Sequence, residues 1–203
     1  EAPATHAEGT GAGLPGTDGP AQALSCASRL RPRGGTPRLP PMTTVLLSLG
    51  SNVRPQHHLQ VAVQALRGRF GQITVSPAYR TPAVGFDGPD FLNNAVMLDT
   101  GLPLVELDDW LHAVEDAHGR DRSGPRFSDR TLDIDVVYYG DLVVEGPGHL
   151  RIPRPELRHA FVLKPLADIA PEFIDPVRGL SLRQMWQAHP QHGDVFDTVE
   201  LAD

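Results

Sequence analysis

Apolar residues recur with two different periods along residues 42–203. From Thr43 to Leu49 they run almost unbroken (Thr-Thr-Val-Leu-Leu-Ser-Leu), which predicts a buried strand, and Gly50-Ser51-Asn52 breaks it. Leu59, Ala62, Val63, Leu66 and Phe70 then fall three and four residues apart, so a helix is predicted over Pro55–Phe70, closed by Gly71. Ile73–Tyr79 and Asn94–Thr100 read as the second and third strands. Leu104, Leu107, Leu111 and Val114 form one stripe of a second helix over Pro103–His118, with proline near its start and Gly119 just past its end. Leu132–Tyr139 is the fourth strand, because Ile, Val and Tyr suit a pleated, half-buried surface. Two helical segments follow, Phe161–Ile169 and Leu180–Gln187. The order βαββαβ is that of the split βαβ unit. The predicted class is therefore α+β, a ferredoxin-like βαββαβ sandwich with a helical C-terminal extension.

Residues 1–41 break this pattern. They hold 7 Gly and 7 Pro, with no apolar period and no aromatic residue. Such a segment buries too little surface to offset its ordering entropy, so 1–41 is expected to be a disordered extension or a mis-assigned gene start before Met42. Residues 42–203 are the expected domain. The segment lacks the apolar core of a signal peptide and the acid-poor amphipathic pattern of a transit peptide, and no stretch approaches the roughly 20 apolar residues of a membrane span. The domain carries 14 basic and 22 acidic residues, a net charge of −8, which disfavours general binding to nucleic acid or anionic membrane. The single cysteine, Cys26, permits no intrachain disulfide. A cytoplasmic monomer acting on small molecules is the expectation.

The candidate chemistry lies in two long connections, Arg80–Asn93 and Gly119–Thr131, and in the strand after the second of them. Long loops inside a compact domain are usually functional. Asp133 and Asp135 are two residues apart on a predicted strand, so they project side by side while Leu132, Ile134 and Val136 point the other way. Adjacent carboxylates repel unless a cation lies between them, and Mg²⁺ is commonly held by one or two carboxylates plus water and phosphate. Arg120, Arg122, Arg126 and Arg130 precede them, and arginine suits bidentate phosphate recognition. Carboxylates for metal beside arginines for phosphate point to phosphoryl transfer. No GxxxxGK[ST] loop is present, which disfavours a P-loop mechanism, and the glycines at 9–13 follow no strand. The histidines show no metal-ligand spacing. His57 and His58 are read as a solvated helix start, His112 and His118 as the exposed side of the second helix, and Trp110 and Trp186 as helix anchors.

The short motifs on this frame form a recognisable set. Gly50-Ser51-Asn52, Tyr79-Arg80-Thr81-Pro82, Asp90-Phe91-Leu92-Asn93, Arg130-Thr131-Leu132-Asp133-Ile134-Asp135, Phe161-Val162-Leu163-Lys164-Pro165-Leu166 and Ile169-Ala170-Pro171-Glu172 resemble the 6-hydroxymethyl-7,8-dihydropterin pyrophosphokinases of folate biosynthesis over about residues 42–178. The resemblance implies transfer of pyrophosphate from ATP, as co-substrate, to the pterin hydroxymethyl oxygen, with release of AMP. It implies that Asp133 and Asp135 hold two Mg²⁺ ions. Arg120 and Arg130, with Arg122 and Arg126 in a mobile loop, would contact the phosphates, and Glu115 would lie near the nucleotide. Thr81, Pro82 and Val84 would form the backbone side of the pterin pocket, Asn93 would read the ring edge, and Phe91 and Phe161 would sandwich the ring.

Several residues depart from the family pattern. Arg126-Phe127-Ser128-Asp129-Arg130 stands where Arg-Trp-Gly-Pro-Arg is usual, which removes an indole N–H and adds a charge beside the aspartates. Pro153-Arg154-Pro155 stands where a histidine is usual, so Arg154 places a permanent cation at a triphosphate position. Arg158 and His159 are further candidates there. Two other readings compete with the enzyme: a divergent paralogue using another pterin, and a non-catalytic ligand-binding module on the same fold. An RNA-binding module is opposed by the acidic domain and by the lack of a K/R-G-F/Y motif.

Overall fold

The computed structural model describes residues 41–120, 129–145 and 150–201. The expectations for residues 1–40, and those for Arg122, Arg126 and Phe127, lie outside the described residues. In chain order the elements are β1 (Thr43–Ser51), α1 (Pro55–Phe70), β2 (Thr74–Val75), β3 (Ala78–Thr81), β4 (Phe91–Thr100), α2 (Leu104–Ala117), β5 (Asp133–Tyr139), β6 (Val144–Glu145), β7 (Arg151–Ile152), a 3-10 turn over Pro155–Arg158, α3 (Ala160–Ile169), α4 (Leu182–Gln187) and β8 (Thr198–Val199). Among the described residues the main sheet is antiparallel in the order β5-β1-β4-β3-β8, with β2 also on β4. β6 and β7 form a separate hairpin. The predicted βαββαβ frame is present, with its fourth and third strands flanking the first.

Alternation along β1 explains the layers. Val45, Leu47 and Leu49 pack with Leu59, Val63 and Leu66 of α1 and Leu107 and Leu111 of α2. Leu46 faces the other way and joins Val137 and Tyr138 of β5 with Val162, Leu163 and Leu166 of α3 and Leu182 and Met185 of α4. A sheet with apolar side chains on both faces must be covered twice, so the predicted helical extension forms the third layer. Burying a Leu side chain is worth about 1.5–3 kcal/mol, and both faces of β1 draw on it. Helix α4 starts with a capping box between Ser181 and Gln184. Trp110 anchors α2 edge-to-face on Phe70 of α1, with ring centroids 5.2 Å apart.

Three expectations change at the strands. The second predicted strand is split into β2 and β3. Pro77 has no N–H for the ladder, and Ser76 pairs with Ala95 instead, through both its backbone N–H and its hydroxyl oxygen. The third strand starts earlier, so Phe91 and Asn93 stand in β4 rather than in a loop. An edge strand was missed altogether: β8 pairs with β3, and Phe196 packs edge-to-face on Tyr79. Val199 and Leu201 alternate there with Thr198 and Glu200 and pack against the core, but two apolar residues are too short a period to mark a strand in the sequence.

Candidate active site

The register of three strands builds the centre of the site. Gly50 is opposite Asn93 on one side and Asp133 on the other. Opposed residues share a face, so Asn93, Gly50 and Asp133 form one row across the sheet, on the face turned away from α1 and α2. Neighbouring strands lie about 4.8 Å apart, which separates Asn93 from Asp133 by roughly 10 Å. Glycine is required in the middle. A Cβ there would lie 2.9 Å from the Asn93 side-chain oxygen. One step along, Ser48 pairs with Asp135. Leu132, Ile134 and Val136 point into the α1/α2 core, as the alternation predicts.

Helix α2 fixes the aspartate strand from behind. Glu115 is buried, and its Oε1 accepts the Ile134 N–H at 2.7 Å, between the two aspartates. From the front the aspartates meet arginines. Arg120 Nη2 lies 3.0 Å from Asp133 Oδ1, and Arg130 donates to Asp133 Oδ2. Arg154 donates to Asp135 Oδ1, with its Nε 3.6 Å from Glu156 Oε2. Burial first, and the Asp133 charge second, push the Asp135 carboxyl up to about 7 despite Arg154. Its side chain is 34% exposed, but toward a walled cleft, where the charged form is still poorly solvated.

The loop after β1 holds the segment that leads into β5. The Arg130 N–H donates to Asn52 Oδ1 at 2.7 Å, and Asn52 Nδ2 donates to Asp129 Oδ1 at 2.8 Å. Ser51 Oγ donates to the Thr131 carbonyl at 2.6 Å. Asp129 is therefore tied to an amide. Ser51 and Asn52, a strand break and part of a family motif in the sequence, carried no individual role there because these bonds reach residues 77 to 80 positions away.

The other end of the row is aromatic. Asn93 Nδ2 donates to Thr81 Oγ1 at 2.8 Å, which fixes the amide plane. Phe91 starts β4 and meets Phe86 edge-to-face with centroids 6.3 Å apart. Phe161 is in the first turn of α3 with the His159 ring stacked on it at 4.9 Å. Phe86 was not singled out from sequence. It folds over the loop because residue 88 is glycine, where a Cβ would come within 2.3 Å of its ring.

One cavity of about 1060 Å³ joins both ends. It is lined by Thr81, Pro82, Val84, Phe91, Asn93 and Phe161 at one end and by Glu115, Arg120, Arg130, Asp133, Asp135 and Arg154 at the other. Every predicted site residue that is described thus faces the same space, although Val84 at its mouth is half exposed. Arg151, Arg158, His159 and Phe86 join them. His112, expected on the exposed side of α2, lines the cavity as well and sits 3.7 Å from Asp108. His58 is not simply solvated: its ring meets those of His57 and His118.

The donor set fits a hard divalent cation. Two carboxylates share one face, and one of them is held as a weak acid by burial and by its neighbour. Among the described residues no group of three or more His, Cys, Asp or Glu is placed to hold a metal. An ion there would complete its shell with water and phosphate, the usual habit of Mg²⁺.

Carboxylates and arginines at one end of a cavity, with aromatic rings and an amide at the other, define on this α+β frame an enzyme of phosphoryl transfer to a flat heterocycle. A sequence model described as 7,8-dihydro-6-hydroxymethylpterin-pyrophosphokinase matches residues 46–171. A 2-amino-4-hydroxy-6-hydroxymethyldihydropteridine pyrophosphokinase of Synechocystis sp. is 38% identical over 144 residues, 69% of this chain and 73% of the relative. One of the same name from Pseudomonas aeruginosa is 37% identical over 155 residues, 73% of this chain and 93% of the relative. The chain belongs to the 7,8-dihydro-6-hydroxymethylpterin pyrophosphokinase family, and is an ATP-dependent diphosphotransferase. Crystal structures of Plasmodium falciparum HPPK-DHPS, a triple mutant and the wild type, share the fold with TM-scores of 0.59 and 0.55 at 13% and 14% identity. They cover 75% and 72% of this chain, which spans less than half of each of theirs (43% and 44%).

Proposed function

We propose that this chain transfers pyrophosphate from ATP to the hydroxymethyl group of 6-hydroxymethyl-7,8-dihydropterin, releasing AMP in folate biosynthesis, with its two substrates divided along the Asn93–Gly50–Asp133 row. That row is the observation that supports the residue roles, since it sets a side-chain amide and a carboxylate pair on one face about two strand spacings apart. Asn93 reads the pterin edge, Phe91 and Phe161 stack on its faces, and Thr81, Pro82 and Val84 close the pocket. An amide supplies both donor and acceptor to such an edge, and aromatic rings suit its faces.

Arg120, Arg130 and Arg154 bind phosphate oxygens, joined by Arg122 and Arg126. Glu115 holds the nucleotide end by fixing β5 through Ile134. Two Mg²⁺ ions on Asp133 and Asp135 would neutralise the triphosphate and polarise the acceptor hydroxyl. The pterin oxygen attacks the β-phosphorus in line and forms the new P–O bond. The bond from that phosphorus to the oxygen bridging it to the α-phosphorus breaks, AMP leaves with the bridging oxygen, and the hydroxyl proton passes to solvent. The arginines stabilise the charge that gathers on AMP. The protein works as a monomer in the cytoplasm. No described helix is long and apolar enough to cross a membrane.

The test is product analysis by mass spectrometry with ATP, Mg²⁺ and the dihydropterin. The wild type should release AMP and pterin diphosphate in equal amounts. Asp133→Ala and Asp135→Ala should lose at least about a hundredfold in kcat with unchanged circular dichroism. Near-normal turnover by either variant would refute the carboxylate roles.

A further inference from the structure

We propose that Arg154 is a tethered counter-ion: it covers one Asp135 carboxylate oxygen, competes there with a free divalent cation, and gives the oxygen up when a triphosphate draws its guanidinium away. This rests on the metal role proposed above for Asp133 and Asp135. The guanidinium already rests on a carboxylate oxygen that a cation would need. Its Nη2 donates to Asp135 Oδ1, with Arg154 only 18% exposed and facing the cavity. Its backbone N–H is tied to the Val137 carbonyl at 3.3 Å, so its root is fixed beside the strand that carries the aspartates. Its Nε lies 3.6 Å from Glu156 Oε2, an ion-pair distance beyond hydrogen-bond reach, so this second carboxylate attracts the guanidinium without fixing it. Arg120 and Arg130 sit on Asp133 in the same manner. The arginines proposed to bind phosphate are thus docked on the carboxylates proposed to bind metal.

A guanidinium and a hard cation on one carboxylate compete for its lone pairs and repel as like charges, so each weakens the other's hold. Arginine does not lose its proton in a protein, so raising the pH does not clear the position. An exchange partner does. Phosphate oxygens match the guanidinium fork and carry more charge than one carboxylate. A triphosphate therefore takes Arg154 as the cation takes Asp135, and each carboxylate and phosphate ends with a positive partner. The metal and the nucleotide must then bind with positive coupling, felt equally from either side. The metal arrives with the nucleotide and does not wait in the site.

Mn²⁺ serves as the probe, with free ion counted by electron paramagnetic resonance, with and without α,β-methylene ATP. Arg154→Gln keeps most of the stem and removes the charge. Without nucleotide, R154Q should bind Mn²⁺ roughly tenfold more tightly than the wild type. With the analogue that gain should vanish or reverse, because Arg154 has moved to the phosphates. Equal Mn²⁺ affinities without nucleotide would overturn the exchange. So would a gain that persists unchanged with the analogue, which would mean simple repulsion at a distance. Asp135→Ala separates the two layers of the argument: undiminished Mn²⁺ binding by it with the analogue would overturn the metal reading, and the exchange with it.

Discussion

Adding one methyl group at Gly50 tests the geometry of the whole row. The Cβ of Gly50→Ala would sit 2.9 Å from Asn93 Oδ1 and 3.9 Å from Phe91 Cδ1. The second contact is ordinary, but the first is closer than carbon and oxygen tolerate. Asn93 cannot yield freely. It is 6% exposed, and its Nδ2 is committed to Thr81 Oγ1 at 2.8 Å. Turning the amide away breaks that bond, worth about 0.5–1.5 kcal/mol, and overpacking of this kind costs about 1–3 kcal/mol in all. The variant should fold with a lowered melting temperature. The functional effect should be unequal between substrates. A displaced amide loses one or two hydrogen bonds to the pterin edge, so KM for the dihydropterin should rise about tenfold while KM for ATP stays within about twofold. Steady-state kinetics with each substrate varied in turn reads this directly. Coupling to Asn93→Ala sharpens it: without the amide the methyl has room, so the two substitutions should be far from additive. An unchanged pterin KM and melting temperature in G50A, or strict additivity with N93A, would refute the close approach and the placement of Asn93 at the ring edge.

The remaining predictions concern charge and burial. The Asp135 carboxyl is raised to about 7, above the ordinary carboxylate value of about 3.9, so between those pH values the folded state keeps a proton that the unfolded state has lost. Stability of the metal-free protein should therefore fall as pH rises through that window. With a third of the side chain exposed, solvent screening should reduce the effect to about 1–2 kcal/mol. Melting curves in chelator should show the slope in the wild type and not in Asp135→Asn, and parallel curves would defeat the assignment. Asp175 is fully buried, and it accepts from Tyr138 Oη at 2.7 Å and from the backbone N–H groups of Val177 and Arg178 at 2.9 and 2.6 Å. Asp175→Ala strands those donors and should cost about 2–4 kcal/mol in urea denaturation, with kcat per folded molecule unchanged; a loss below about 0.5 kcal/mol would show the network to be dispensable.

How much of this was legible in the sequence follows from the range of the forces involved. The helices α1 and α2 and the strands β1 and β5 were legible because the side-chain period of one element is written in that element alone. The same alternation placed Asp133 and Asp135 on one face opposite Leu132, Ile134 and Val136. Short motifs carried the family, and with it the residues to look for. Register is different. That Gly50 lies between Asn93 and Asp133 depends on how three strands slide until both faces of β1 are buried at once, a balance made by the whole core. Nothing local to residue 50 states it. The docking of Arg154 on Asp135, the support of Ile134 by Glu115 and the tie of Asn52 to Arg130 join residues 19 to 78 positions apart. Phe86 escaped notice because a ring in a loop leaves no period, and β8 because its alternation spans only Val199 and Leu201. The sequence by itself determined the elements, their inward faces and the chemistry available; only the tertiary structure decided which groups meet, because long-range pairing is chosen by the packing of the entire sheet between its two helical layers.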